Sequence, residues 1–570
     1  MRCQKLLRLF VVFGAVFLAV AAVGAQNRQV QTSPESGRYW VFFKDKGRQA
    51  EGGLQKAAVR GLSPRAVRRR LLRAEPAHRF DAADLPVAEK YVSALEALGA
   101  RIRVRSRWLN AVSVTCDAAL LSKIARLPFV KGVQPVRTFT RRLPPVRPKR
   151  FEKALFPADT SLYNYGFARQ QIVQLRVPAL HEQGLTGKGV LVTLIDTGFR
   201  YQIHRAFQAL HVVAEWDFIN NDPVTHNEAG QDSSYQDFHG TEVLSVIAGY
   251  LPGKLIGPAF GADYALAKTE FVPSETRIEE DHWVAAAEWA DSLGTDIIST
   301  SLGYRDFDNG FAYTYSDLDG VTMVTSKAAT IAVSKGIVVV AAAGNEGNNP
   351  AWPYVTSPAD GRGVIAVGAV NAKGDRVSFS SIGPTADGRI KPDVMAMGLQ
   401  DAMVNPRDSV QIGFGSGTSF AAPLVAGVCA LILEKHPAWT PHQVWQALTE
   451  TASQAVAPDN FYGWGIVNAQ AAAAYVFPEE IPKKFAVTAA PINPERQYSV
   501  FVLDLPETRT VRVRIFNILG QQVARLEKNL HAGPERKILW RWPPEMASGV
   551  YFARIQWKNQ VRMQKTMILR

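Results

Sequence analysis

The chain has 570 residues, a net charge of +14, 47% hydrophobic residues, 43 glycines and 33 prolines. That length exceeds what one hydrophobic core supports, and the composition excludes a disordered or fibrous chain. Residues 1–150 carry 30 Lys/Arg against 9 Asp/Glu, residues 151–484 carry 21 against 36, and residues 485–570 carry 14 against 6. A basic leader before an acidic middle argues against a nucleic-acid partner. It fits either docking of one segment on the other or two separately solvated surfaces.

In chain order, Arg2, Lys5 and Arg8 precede an apolar run from Leu9 to Val23 and then Gly24-Ala25. This is the pattern of a secretory signal peptide over 1–25, too short for a confident membrane span. An α+β module follows over 38–136. Tyr39–Lys44 reads as a strand, and Ser63-Pro64 opens a basic helix through Arg73, with Ser as N-cap and Pro at the first helical position. A second helix runs from Val87 to Leu98 and stops at Gly99. Arg101–Val114 alternates as a strand pair, Leu120–Leu127 is a short helix, and Val130–Val136 is a strand. The Arg- and Pro-rich stretch within 137–159 reads as a linker open to proteolysis.

Residues 160–477 alternate apolar strands with helical patterns, the signature of an α/β domain with a doubly wound, mostly parallel sheet. Strands fall at Val190–Ile195, Tyr264–Lys268, Asp296–Ser301, Ile337–Ala342 and Val364–Val370. Helices fit Gly240–Tyr250, Thr276–Leu293, Val321–Lys335, Thr418–Lys435 and Pro441–Thr451, the last with Thr440 and Gln443 placed for a capping box. Over 485–570 the period changes to two. Tyr498–Leu505, Val511–Phe516, Lys537–Trp542, Val550–Trp557 and Arg562–Leu569 make a C-terminal β-sandwich. Of the three cysteines, Cys3 leaves with the signal peptide, and Cys429 sits in an apolar helix as a structural thiol. With Cys116 that leaves no disulfide framework.

Four segments carry chemistry. The strand VLVTLID ends at Asp196, His239 opens the helix HGTEVLSVIAG, Asn345 follows the strand VVVAAAG, and Ser419 lies where GSGTSFAAP enters a helix. Each is weak alone: an Asp can be a cap, a His a core residue, an Asn a turn, a Ser an N-cap. Together they supply a nucleophile, its base, the group orienting that base and an amide donor. The order Asp, His, Ser differs from the chymotrypsin and α/β-hydrolase orders.

These motifs resemble the subtilases, over roughly residues 165–475. LIDTG at Asp196, HGTxV at His239, STSLG at 299–303, AAAGNEG at 341–347, GTSFAAP at 417–423, SFSSIGPTADGRIKPDV at 378–394 and YGWGIVNA at 462–469 carry the likeness. The resemblance implies a subtilisin-like fold and a secreted serine endopeptidase acting through an acyl-enzyme. Asp196, His239 and Ser419 would be catalytic and Asn345 an oxyanion donor. Ser301, Leu302 and Gly303 would form one wall of the P1 pocket, and Ala342, Ala343 and Gly344 the other. Small walls imply room for a large P1 side chain, with Glu346 drawing basic ones.

No cofactor is implied beyond structural Ca²⁺, for which the Asp- and Asn-rich loop Asp217–Asp237 is the candidate; nothing resembles a His/Cys zinc cluster. The leader 38–136 resembles the inhibitory propeptides of Bacteroidota-like subtilases, in LSPRAVRRR, DLPV and SRWLNAVSV. The tail resembles type IX secretion sorting domains, in FNILGQQVARL and SGVYFARI, making that machinery a partner besides polypeptide substrates. A catalytically silent surface binder on the same scaffold is the alternative, and an intact set of four residues weighs against it. A lipase-type esterase would want G-x-S-x-G at Ser419, and a sedolisin-type peptidase a carboxylate at Asn345.

Overall fold

The structure is a computed structural model describing residues 37–47, 59–136, 162–272, 279–305, 313–477, 484–489, 492–493, 497–530 and 533–568. The signal segment and the 137–159 linker lie outside the described residues. The chain divides into two compact units, Met1–Tyr475 and Val476–Arg570.

The first unit opens with strand β1 (Gly37–Phe43), helix α1 (Pro64–Arg73), α2 (Glu89–Ala97), β2 (Arg101–Ser106), β3 (Ala111–Cys116), α3 (Ala118–Ile124) and β4 (Val130–Pro135). The strands pair antiparallel in the order β2-β3-β1-β4. Ser63 caps α1 as its sequence dictates, its hydroxyl accepting from Ala66 N–H. Helix α3 starts earlier than expected because Asp117 accepts from Leu120 N–H and caps it. Along β1, Val41 and Phe43 join the leader's own core, whereas Trp40 packs into a cluster shared with the larger domain. Period two thus gives this sheet two dry faces.

The larger domain contains β5 (Leu191–Asp196), β6 (His211–Asp217), α4 (Phe238–Ala248), β7 (Asp263–Lys268), α5 (Glu279–Leu293), β8 (Ile297–Thr300), α6 (Val324–Ser334), β9 (Val338–Ala342), β10 (Ile365–Val370) and β11 (Val394–Met397). A hairpin of β12 (Leu399–Val404) and β13 (Ile412–Ser416) then leads into α7 (Thr418–Lys435), followed by α8 (Pro441–Glu450). Seven parallel strands lie in the order β11-β10-β9-β8-β5-β7-β6. Alternate residues sort to opposite faces. Val338, Val340 and Ala342 pack with α4 and α7, while Val339 and Ala341 pack with α5 and α6. Burial on both faces is why these strands read as continuous apolar runs, and it makes the sheet doubly wound. The capping box of Thr440 and Gln443 forms on α8. Edge strand β6 lacks such a run and β11 is an apolar run of only four residues, and the sequence pattern passes over both.

The second unit is antiparallel. Strands β14 (Tyr498–Leu505), β15 (Arg509–Phe516), β16 (Gln522–Leu530), β17 (Gly533–Arg541), β18 (Gly549–Trp557) and β19 (Gln560–Ile568) form two sheets. One pairs β14 with β17, and the other runs β16-β15-β18-β19. Phe501, Val513, Trp540 and Ile555 meet in one core.

Candidate functional site

Strand β5 delivers Asp196 to its carboxyl end, where ligands gather in open α/β sheets. Asp196 Oδ1 accepts from Thr197 N–H at 2.7 Å and from His239 Nδ1 at 2.6 Å. A carboxylate only accepts, so Nδ1 carries the hydrogen and Nε2 is left basic. His239 stands in the first turn of α4, and Gly240 lets that turn approach. A Cβ there would lie 2.2 Å from Gly198 O and 3.2 Å from Asp196 Cβ. Asp196 and His239 are 1% and 7% exposed.

Ser419 enters α7 directly from hairpin β12–β13 and is 6% exposed. Its hydroxyl donates to Ser301 O at 3.2 Å, and Ser301 Oγ donates to Ser419 O at 2.7 Å, which ties the end of β8 to the α7 start. The His239 ring lies 6.2 Å from that of Phe420, the next residue after Ser419. Asn345 is fixed through its oxygen: Oδ1 accepts from Thr418 N–H at 2.9 Å and Thr418 Oγ1 at 3.0 Å. The amide nitrogen is thereby turned outward. A Cβ on Gly417 would sit 3.6 Å from Asn345 Nδ2 and 3.7 Å from Ser419 N, so the two nitrogens border one small space. Asp196, His239, Ser419 and Asn345 thus come together from four separated segments.

Ser301, Leu302 and Gly303 leave β8 on one side, and Ala342, Ala343 and Gly344 leave β9 on the other. Strands β8 and β9 are hydrogen-bonded neighbours. Sequence reasoning missed Glu242, one turn along α4 from His239. It is 8% exposed, and its carboxyl is pushed up to about 8, first by burial and then by the charge of Asp196, with Arg407 opposing. Its position three residues after His239 in an apolar helix was the available signal.

The loop Asp217–Asp237 is not arranged for calcium. Asp217 and Asp232 both meet Lys268 Nζ, at 2.8 and 2.7 Å, and Asp237 Oδ2 takes Arg200 Nε at 2.9 Å. Asp217, Asp232 and Asp237 are thus paired with the chain's own cations. Among the described residues no group of three or more His, Cys, Asp and Glu is placed to hold a metal ion. Cys116 and Cys429 are buried and free, and burial pushes both thiols up, Cys116 to about 11.

The basic leader meets an acidic face formed by α5 and by Asp296 just before β8. Arg69 and Arg70 hold Asp291, Arg65 and Arg73 hold Asp296, and Arg107 reaches both Glu288 and Asp291. Glu288 also accepts from the backbone N–H groups of Arg107 and Trp108, and Asp281 from Arg103 and Ser113. Charges are exchanged in the other direction too, since Lys335 of the larger domain holds Asp81 and Asp84 of the leader. The charge asymmetry of the sequence is therefore a docking interface.

The Subtilase family matches residues 187–465, and the Peptidase S8 propeptide domain of Bacteroidota matches residues 38–150. The chain is 33% identical to subtilisin E of Bacillus subtilis (strain 168) over 380 residues, covering 66% of this chain and 84% of that protein. It is 37% identical to subtilisin of Bacillus pumilus over 307 residues, 53% of this chain and 97% of that one. Fervidolysin from Fervidobacterium pennivorans, described as a keratinolytic enzyme related to subtilisin, shares the fold. Its TM-score is 0.56 at 19% identity, over 93% of this chain and 72% of that one. With its propeptide domain in front, the chain belongs to the subtilase family of serine endopeptidases.

Proposed function

We propose that Asp196, His239 and Ser419 hydrolyse peptide bonds through an acyl-enzyme, with Asn345 in the oxyanion hole. The 2.6 Å contact from His239 Nδ1 to Asp196 carries the reading, because it favours the tautomer in which Nε2 is the basic nitrogen. The bond from Ser419 Oγ to Ser301 O is long at 3.2 Å, so the hydroxyl exchanges it cheaply for the imidazole when substrate arrives. As Oγ attacks the carbonyl carbon, His239 takes its proton and then gives it to the leaving amine. Asp196 stabilises the imidazolium without itself being protonated. The oxyanion is received by Asn345 Nδ2–H and Ser419 N–H, aided by the α7 dipole. Water, deprotonated by the same imidazole, then releases the acyl group.

The leader acts as intramolecular inhibitor and folding template, removed by cleavage within 137–159. The enzyme is exported behind its signal segment, and the β-sandwich serves as a type IX sorting domain. Casein hydrolysis tests the core of this reading. Wild type digests casein, while Ser419→Ala and His239→Ala fall to background with unchanged circular dichroism. Retained hydrolysis in Ser419→Ala would refute it. Export of a reporter fused to residues 485–570, lost when those residues are removed, tests the sorting role.

A further inference from the structure

The second unit carries an organised face outside its own core. Val511, Val513 and Ile515 of β15 and Ala553 and Ile555 of β18 point into that core. By period two, Arg512, Arg514 and Phe516, with Phe552, Arg554 and Gln556, lie on the other face of the β16-β15-β18-β19 sheet. Register sorts this face into rows. In one, Arg525, Arg514, Arg554 and Met563 stand directly opposite one another across the four strands. The next row toward the β15–β16 turn holds Phe516, Phe552 and Lys565, and beyond it come Val550 and Met567. The turn itself puts Ile518 and Leu519 at the tip, 74% and 77% exposed.

The tip is held by its own bonds. Asn517 Oδ1 accepts from Leu519 N–H and Gln521 N–H, both at 3.0 Å, and Asn517 O accepts from Gly520 N–H at 3.0 Å. Gly520, at φ 77°, takes the left-handed position that closes the turn. Those three amides are paired inside the turn and stay paired in an apolar medium. The arginine row, by contrast, costs the isolated unit stability, because like charges directly opposite on a sheet repel. The one carboxylate in these rows, Glu527, is shared by Arg512 at 3.0 Å and Arg525 at 3.1 Å, which leaves Arg514 facing Arg554. A face that keeps such a row calls for an anion to relieve it.

We propose that this end of the second unit docks on an anionic lipid surface. Ile518 and Leu519 enter the acyl boundary, Phe516 and Phe552 lie among the headgroups, and Arg514, Arg554 and Arg525 meet lipid phosphates. The order of the rows carries the proposal. Successive rows on one face are about 7 Å apart, two residues of strand. Aliphatic tip, aromatic row and guanidinium row therefore succeed one another on the scale of a membrane interface, into which apolar groups sink about 5–10 Å. Aromatic rings favour that boundary, and arginine suits phosphate through paired N–H donors. A free polyanion would engage the arginines but has no use for two adjacent exposed aliphatic side chains. Residues 485–570 carry 14 Lys/Arg against 6 Asp/Glu, so the unit's charge draws it to the same partner. Nothing in this surface depends on the proposed hydrolysis.

The test floats the chain after signal cleavage, as Ser419→Ala to prevent autolysis, with vesicles of phosphatidylcholine alone or mixed with phosphatidylglycerol. The parent binds the mixed vesicles, and raised salt releases it. Arg514→Gln with Arg554→Gln weakens binding about 30-fold, at about 5-fold for each cation near an anionic surface. Arg514→Lys with Arg554→Lys keeps most of the affinity. Ile518→Ser with Leu519→Ser weakens binding by at least about 10-fold on the same vesicles. These four side chains lie outside the core, so circular dichroism stays that of the parent. Equal flotation with and without phosphatidylglycerol, or full binding after loss of Ile518 and Leu519, would overturn the proposal. So would capture by dextran sulfate through the arginines with no flotation on vesicles, which would assign the face to a polysaccharide instead.

Discussion

Asp401 is fully buried in β12, and among the described residues neither of its carboxyl oxygens has a hydrogen-bond partner. Gln400, at φ 63°, turns the chain at a register shift, and Asp401 pairs in the hairpin with Gly415, four residues before Ser419. Burial holds its carboxyl well above the ordinary carboxylate range. The folded state therefore keeps a proton that the unfolded chain releases near pH 4. Stability falls as pH rises from there until the folded-state value is passed, at about 1.4 kcal/mol per pH unit. Asp401→Val removes this term. At pH 4 the variant gains only what an unpaired buried polar group costs, about 1–3 kcal/mol. Its advantage then widens with each pH unit above 4. Calorimetry of both proteins in a Ser419→Ala background, which prevents autolysis, at pH 4, 5, 6 and 7 measures the gap. A difference in Tm that stays flat across that range, or a variant less stable than its parent, would refute the reasoning.

Further outcomes are expected elsewhere. Asn345→Leu lowers kcat by roughly 10²–10³, a magnitude that itself comes from subtilisin, with KM nearly unchanged; steady-state kinetics on a chromogenic peptide would contradict this by a large rise in KM at intact kcat. Arg70→Ala leaves buried Asp291 and Asp84 short of a partner and costs about 3 kcal/mol, at the low end for a broken buried pair because Arg69, Arg107 and Lys335 remain. Arg65→Ala, whose side chain is 37% exposed, costs under about 1 kcal/mol, and equal losses on denaturation of the unprocessed protein would break the assignment. Glu242 is raised to about 8, so Glu242→Gln gains stability as pH climbs from about 4.5 to about 8 and gains no more above it. Mass spectrometry of active enzyme finds its N-terminus within 137–159, and one near Gln26 would contradict the leader's role.

Much of this was legible because burial writes itself into sequence. Strands β5, β8, β9 and β10 are covered on both faces and read as apolar runs, whereas edge strand β6 carries His211 and Glu215 and does not. Helices α1, α7 and α8 were visible because Ser63, Gly417 and Thr440 mark their starts. Strand β16 was hidden by its charges, since only Leu530 among its residues is buried. The four chemistry-bearing residues were visible as motifs, but their distances were not. What stayed out of reach were partners made by tertiary packing. The pairing of Arg305 with Glu346 joins residues 41 positions apart, and Arg70 meets Asp291 across 221. Thr356 gives no signal of its own. Only its own backbone bond to Ala343 and those of Ser357 to Tyr304 put it beside two glycines, Gly303 and Gly344.

The central claim is that Ser419 is a nucleophile activated by His239, and covalent capture tests it most directly. Processed enzyme is treated with a fluorophosphonate at neutral pH, digested, and the adduct located by tandem mass spectrometry. The account predicts one stoichiometric adduct, on Ser419, and its loss in His239→Ala. An adduct on another residue, or full labelling of Ser419 without the imidazole, would contradict it.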